Sequence, residues 1–524
     1  MYCNFKQEIW LTYNLASPKL STYRSFFTNV CFLSRLREIP RILSRSLYRS
    51  FLSRQIIVLV LMAFLTIPFS SHALTSKTVN VINGNAPYFT FDGGRTRITD
   101  GDDLLVITLS NGDKYTSATN TSSETNPIIL PNVGQSFADI GMLMPIDTDD
   151  ILLDYLVRAP YHYWNDDDGD GDGQDPDRIR SSGNLHLSII DKNEQFVGRN
   201  EVLNICKAPY ELTLSSVHGG YLTTFYGVPN ISRFRSGHVT YYISPKISSP
   251  VICFAKVHPE RDEDFAGPSS MWDMFDGFLP QSFSPSDYEK NFPTTGANNM
   301  DFDLQIAGVA EPLEWEVVSP NAGIKVTMTN STNKSVHVTL TGPAVEDPSQ
   351  QISDNPTRLD KLSLPQVFEL VGKGKDSDNN DIELKYGFVL KQWFVNRGTS
   401  EYSYSSTSSW CTKIGYRMPA VMDLTNANCQ HSNRPDCRGA VSAKPLSSNH
   451  YFQRHIGAGF FTEWGEMIKY NEAGFRRPGS GLTGWHEYWT GDVFNRNHQF
   501  IVDSIIGYPS YSTSSSHLGL CVYP

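Results

Sequence analysis

The sequence predicts a mostly β, multidomain protein, with β-sandwich modules followed by a C-terminal α+β domain. Three observations predict it. After residue 74 many short segments alternate apolar and polar residues at period two, and helical periodicity is scarce. Turn residues separate those segments, as at Asn111-Gly112, residues 191–194 and Gly219-Gly220. From residue 399 the composition changes, with Trp410, Trp464, Trp485 and Trp489 set among Gly457, Gly459, Gly465 and Gly474.

Length and composition set the frame. A chain of 524 residues holds several domains, and 40% hydrophobic with 19% charged residues excludes a coiled coil, a polytopic membrane protein and a wholly disordered chain. The net charge of −11 mixes two unlike parts. Residues 1–73 carry nine of the 44 basic and two of the 55 acidic side chains, so residues 74–524 are strongly acidic. An acidic body repels nucleic acid and anionic lipid.

Residues 1–73 read as a long basic leader with a signal peptide. Residues 56–69 (IIVLVLMAFLTIPF) are uncharged and too short to span a bilayer comfortably. Arg41, Arg45, Arg49 and Arg54 precede them, and Ser71-His72-Ala73 follows with small residues where a signal peptidase cuts. The mature chain is expected to begin at Leu74 and to carry no transmembrane segment. It is expected outside the cell or on its surface, with the periplasm as the alternative.

Residues 74–310 read as a β-rich region. Its strands are Asp103–Ser110, Leu185–Ile190, Tyr210–Ser215 and His238–Ile243. Residues 260–300, rich in Pro, Asp and Phe, read as a long ordered loop or linker. Residues 311–398 read as an immunoglobulin-like sandwich. There Ile324, Val326 and Met328, then Val336, Val338 and Leu340, form a hairpin with one apolar face, and Tyr386–Val395 forms a later strand. Residues 399–524 read as a loop-rich, disulfide-stapled domain.

Six cysteines follow the leader, which allows 15 pairings. Position favours Cys206 with Cys253, Cys429 with Cys437, and Cys411 with Cys521. No C-x-x-C pair exists, so disulfides fit these thiols better than a metal does.

The strongest chemical signal is the Asp-rich loop. Asp166-x-Asp168-x-Asp170-Gly171-x5-Asp177 matches the calcium-loop template at positions 1, 3, 5, 6 and 12, with Asp for the usual Glu. Calcium takes six to eight oxygens, which alternate carboxylates on a Gly-curled chain supply. Asp166, Asp168, Asp170, Asp172 and Asp177 are the expected ligands, and no helix pattern flanks them. The rival reading is a solvated acidic turn.

Catalytic patterns are weak. His486-Glu487 lacks the second His of a zinc protease, and Gly479-Ser480-Gly481 lacks the spacing of a nucleophile elbow. His450 and His455 share no helix face. Trp485 and His486, in a Gly-rich loop, are candidates for ligand binding, whereas Trp489 reads as core.

Two resemblances add to this reading. Trp410-Cys411-x-x-x-Gly415-Tyr416-Arg417-Met418-Pro419, Tyr488-Trp489-Thr490-Gly491 and Leu520-Cys521-Val522-Tyr523 resemble the first helix, central strand and last strand of C-type lectin-like domains. That resemblance implies a Cys411–Cys521 bridge. The sugar-binding calcium motifs of true lectins are missing, so it does not imply calcium-dependent sugar binding there.

The longer resemblance is to the adhesion-domain family of Gram-negative surface proteins, the SinI-like, autotransporter-associated proteins found beside intimin/invasin-type adhesins. It rests on Tyr163-Trp164-x-Asp166-Asp167-Asp168-Gly169-Asp170-Gly171, Asn204-Ile205-Cys206-x-Ala208-Pro209-Tyr210, Val239–Pro245, Cys253-Phe254-Ala255 and Ile456–Gly465. It implies exposure at the cell surface and attachment to a host or cell-surface ligand, or partnership with a neighbouring outer-membrane adhesin. The expected function is adhesive or adhesin-accessory and non-catalytic. The alternatives are a periplasmic structural accessory of an intimin-like autotransporter and an enzyme on a lectin-like fold.

Overall fold

The computed structural model describes residues 84–99, 103–167, 169, 172, 178–258, 263–319, 323–376, 378–429, 435–475 and 486–524. The leader, its apolar run and the cleavage site lie outside the described residues. Among the described residues no helix is long and apolar enough to cross a membrane.

The described chain is mostly β and builds two hydrophobic cores. A five-stranded sheet carries the first core. Its order is Ile128–Val133, Gly237–Lys246, Tyr210–Ser216, Asn184–Ile190, Asp150–Leu152. Alternation makes one face apolar. Leu212 lies opposite Ile189 on one side and Tyr241 on the other, and all three are buried. Two three-stranded sheets join the same core through Ile107 and Leu222. The strands expected at 185–190, 210–215 and 238–243 thus form as neighbours.

The segment 103–110 differs from expectation. Asp103–Leu105 is a 3-10 turn, and only Ile107–Thr108 is strand. Leu104 through Ile107 are all buried, a run that one open-faced strand cannot bury. The Leu105 carbonyl accepts the buried Tyr241 hydroxyl at 2.7 Å, which holds the turn against the sheet.

The second core runs from Ile252 to Val522. Its first sheet has six strands, in the order Trp272–Asp273, Gly277–Phe278, Val251–Lys256, Met300–Ala307, Ser335–Thr341, Lys325–Thr329. The expected hairpin is present, with Val326 opposite Leu340 and Met328 opposite Val338. Glu314–Val318, Gln366–Lys375 and Asp381–Leu390 form a three-stranded sheet. Thr295–Ala297, Gln392–Tyr402, His517–Tyr523, Glu487–Asn495, His498–Asp503 and Pro509–Tyr511 form another of six.

These sheets cross the boundaries drawn from sequence. The first six-stranded sheet takes strands from both sides of 310, and the boundary at 398 falls inside Gln392–Tyr402. Residues 311–398 therefore do not close into a sandwich of their own. Tyr386–Val395 is two strands in two sheets, broken at Lys391, whose N–H donates to Thr294 O at 2.7 Å. That passage between sheets explains its apolar residues on both faces. Of the two readings of residues 260–300, the described part, from 263, is the ordered loop and not a linker. Trp272, Phe278 and Phe292 are buried, and rings run in contact from Trp272 through Phe278 and Phe292 to Trp464 at 4.7, 4.8 and 4.8 Å.

The helix Tyr404–Ile414 starts on Ser403, whose side chain accepts from Ser406 N–H, and ends at Gly415 with φ 94°. Thr407, Trp410, Cys411 and Ile414 are buried at helical spacing. All three favoured cysteine pairs are bonded, with Cα separations of 5.4 Å for Cys206–Cys253, 5.4 Å for Cys411–Cys521 and 5.7 Å for Cys429–Cys437. Cys411–Cys521 fastens the helix to His517–Tyr523. Cys206–Cys253 joins the turn Ile205–Lys207 beside the first core to Val251–Lys256 of the second. Asp276, 2% exposed, crosses the same junction by taking Lys192 Nζ at 3.2 Å and Asn193 Nδ2 at 2.9 Å.

Candidate functional site

The Asp-rich loop follows the short strand Trp164–Asn165, which pairs with Tyr88–Phe89. Asp168, Asp170 and Asp177 lie outside the described residues. Asp166 is partly buried, and its N–H donates to Asn165 Oδ1 at 2.9 Å. Asp167, outside the expected ligand set, takes Arg97 at 2.6 Å and the Tyr88 hydroxyl at 2.9 Å. Burial, and then the Asp167 carboxylate, raises the Tyr88 phenol above its ordinary range.

Asp172, an expected calcium ligand, is 2% exposed, and its Oδ2 accepts the Tyr226 N–H at 3.0 Å, which holds the turn after Gly220–Thr223. Among the described residues no group of three or more His, Cys, Asp or Glu side chains is arranged to hold a metal ion.

Asp172 and Arg178 both grip one aromatic tip. Arg178 Nη1 donates to the Tyr226 hydroxyl at 2.9 Å, and its guanidinium lies 5.1 Å from the Phe225 ring centre. Phe225 and Tyr226 meet edge to face at 4.9 Å. Phe225 is 62% exposed, Tyr226 40% and Val228 52%. Large apolar side chains displayed together mark interaction surfaces. Sequence reasoning missed this tip. The only signal was an aromatic pair beside Gly227 in a turn, and its contact with residues 172 and 178 is tertiary.

His486 is 2% exposed, and its carbonyl accepts the Ser504 N–H at 3.0 Å. It leads into Glu487–Asn495, whose pairing draws it inward. Trp485 lies outside the described residues. Trp489 is core, with its indole N–H donating to Tyr402 O at 2.7 Å.

A Ser–His–Glu constellation also went unread. His517 Nε2 is 3.0 Å from Ser512 Oγ, and His517 Nδ1 is 3.1 Å from Glu487 Oε2. The distances match a nucleophile, base and orienting acid. Ser512 Oγ also lies 2.7 Å from Ser514 O, a second acceptor for its hydroxyl proton. Ser512 is 3% exposed, and its N–H donates to Gln499 O. Three residues in three segments share no local motif, which is why the pattern was silent.

Fold and site define a disulfide-linked, mostly β protein with two cores and an exposed aromatic tip held by Asp172 and Arg178. No family model and no curated protein matches the chain. Solved structures are similar in part. One is invasin, a bacterial integrin-binding protein, at 13% identity over 66% of this chain and 51% of that one, with a TM-score of 0.30. Another is SGBP-B of the Bacteroides ovatus mixed-linkage glucan utilization locus, solved with a mixed-linkage heptasaccharide. It shows 10% identity over 41% of this chain and 64% of that one, with a TM-score of 0.11. The chain thus spans about half of the invasin structure and less than two thirds of the other. Both scores are too low to carry a fold or a ligand from one chain to the other.

Proposed function

We propose that this is an exported surface protein of adhesive or adhesin-accessory role, which binds a host or cell-surface ligand and does no chemistry. The observation that carries the reading is the Phe225–Tyr226 tip, exposed yet fixed by Asp172 and Arg178. A rigid aromatic pair gives a partner much contact area at small ordering cost. The disulfides suit an oxidising compartment. The helix Tyr404–Ile414, bonded through Cys411 to the last strand, supports the lectin-like reading of the C-terminal region.

Calcium on the Asp-rich loop is part of the proposal, in a structural role. Asp172 and Arg178 hold the tip, so an ion on Asp166, Asp168, Asp170, Asp172 and Asp177 would fix the tip further.

Attachment of cells producing the protein, compared with cells producing Phe225→Ala/Tyr226→Ala, tests the binding role. A severalfold fall in attachment at unchanged surface level is expected, and equal attachment would remove the tip from the reading. Protease shaving of intact cells separates a surface protein, which is cleaved, from a periplasmic accessory, which is spared. A fluorophosphonate probe tests the absence of chemistry. No labelling is expected, and labelling lost in Ser512→Ala would establish a serine hydrolase instead.

A further inference from the structure

We infer that the cleft of about 310 Å³ between residues 297–299, 344–351, 394–398 and 472–474 binds a neutral saccharide. The inference rests on the binding role proposed above and gives it a ligand class at a second place. The size lies at the lower end of small-ligand sites, ~300–1,000 Å³.

Asn298, Asn299, Gln351 and Asn396 put four carboxamides on its wall. Each is fixed by the protein. Asn298 Nδ2 donates to Glu346 Oε1 at 2.9 Å, and its Oδ1 accepts from Gly342 N–H at 3.0 Å. Asn299 Nδ2 donates to Glu472 O at 3.1 Å, and Gln351 Nε2 to Val345 O at 2.8 Å. Asn396 Nδ2 donates to Gly474 O at 2.8 Å, while its Oδ1 accepts from Gly398 N–H at 3.1 Å.

A carboxamide has two N–H donors and two oxygen lone pairs. These bonds set the orientation of each group and leave each a second donor and a lone pair. The wall therefore offers donors and acceptors together, already ordered, so little freedom is lost on binding. A sugar hydroxyl both donates and accepts, which this wall matches. An anion would need donors alone.

Charge points the same way. Among the described residues no Lys, Arg or His lines the cleft, and Glu346 and Glu472 stand in its lining. Two carboxylates without a basic partner in the lining repel an anionic ligand. Ala297, Ala344, Val345 and Ala473 supply apolar surface for the C–H faces of a sugar ring. Gly398, at φ +92°, takes a left-handed conformation, and a Cβ there would run into the Gln351 carboxamide. The positive φ favours glycine there.

The test is calorimetric titration of the full chain with neutral gluco-, manno-, galacto- and N-acetylglucosamine oligosaccharides, with heparin fragments as the anionic comparison. At least one neutral saccharide should saturate the protein, and heparin should not. Ala473→Trp, which fills the cleft, should raise Kd about tenfold or more. Should that variant fail to fold, hydrogen exchange on the unaltered chain decides, with saccharide slowing exchange at 396–398 and 472–474. No neutral saccharide bound at millimolar concentration, Kd unchanged by Ala473→Trp, or protection elsewhere would overturn the inference. Attachment without saccharide affinity would sink the cleft and spare adhesion. Saccharide affinity without any effect on attachment would do the reverse.

Discussion

The Glu463 carboxylate accepts the Thr295 hydroxyl at 2.5 Å across 168 residues of sequence, at a point where Glu463 is fully buried. It also takes the Thr294 hydroxyl at 2.6 Å and the N–H groups of Thr294, Thr295 and Gly457. The segment Phe460–Trp464 is thereby tied to the edge strand Thr295–Ala297, and the Trp464 indole N–H adds a bond to Thr295 O at 3.1 Å. One side chain closes the gap between two distant parts of the second core.

Glu463→Ala should therefore be severely destabilising, by roughly 3–5 kcal/mol, because the buried N–H and hydroxyl groups of Thr294 and Thr295 lose their acceptor. Burial raises the Glu463 carboxyl above the ordinary glutamate range, while its donors pull it back. A raised folded value means that the folded state holds the proton more tightly than the unfolded chain. The group's contribution is then greatest at acid pH and falls as pH rises from the unfolded value, about 4.3, through the folded one. Glu463→Gln does not titrate there. Its stability deficit against the unaltered chain should widen on acidification, read by denaturant midpoints from pH 7 down to pH 5. A deficit that narrows would show that the donors outweigh burial.

Asp503 gives a cleaner case. Burial pushes its carboxyl up to about 6, against the N–H groups of Ile505 and Ile506 that it accepts at 2.8 and 3.0 Å, and Glu487 adds repulsion. Both bonds reach one oxygen, which an asparagine keeps. Asp503→Asn should stabilise the protein at pH 7, on the order of 1–3 kcal/mol. Below about pH 3, where the acid is neutral in both states, the gain should vanish. Thermal melts at the two pH values check this, and a gain that persists in acid would point to packing instead.

The disulfides should differ in weight. Cys411–Cys521 closes a loop with a sequence separation of 110, and Cys429–Cys437 one of 8. In the chain-entropy description a loop of about 100 residues is worth roughly 4–5 kcal/mol, and a short ring about half of that. Cys411→Ser should lower Tm most and loosen the contact of the helix with the last strand. Cys429→Ser should move it by a few degrees. Equal shifts would show that the long loop is already held by packing.

Calcium dependence separates two roles within one loop. Chelator should lower Tm if the carboxylates hold an ion, by about 2.7 kcal/mol of stability at a hundredfold excess over Kd. Asp168→Ala with Asp170→Ala should abolish that dependence. Asp172→Ala should destabilise with chelator and without it, because its partner is the Tyr226 N–H. Identical melts in calcium and chelator would leave the loop an acidic turn.

Much of this protein was legible in the sequence because local chemistry decides it. Period-two alternation at 185–190, 210–215, 238–243, 324–328 and 336–340 can bury an apolar face only as strand. Proximity in the chain favoured Cys206 with Cys253 and Cys429 with Cys437, and Cys411 with Cys521 followed. The helix Tyr404–Ile414 was reached only through the resemblance of the segment 410–419 to the first helix of lectin-like domains.

What the sequence left open is which apolar faces meet. A hairpin has the same pattern whichever sheet it joins, so Lys325–Thr341 read as part of its own domain, while the folded chain adds it to Met300–Ala307. Tyr386–Val395 read as one strand because nothing local marks a change of sheet. Asp172 and Arg178 gained their partners only when the turn at Tyr226 was brought against them, 54 and 48 residues on. Side-chain type fixes what a residue can bond, but long-range packing chooses the partner, and that choice was made only in three dimensions.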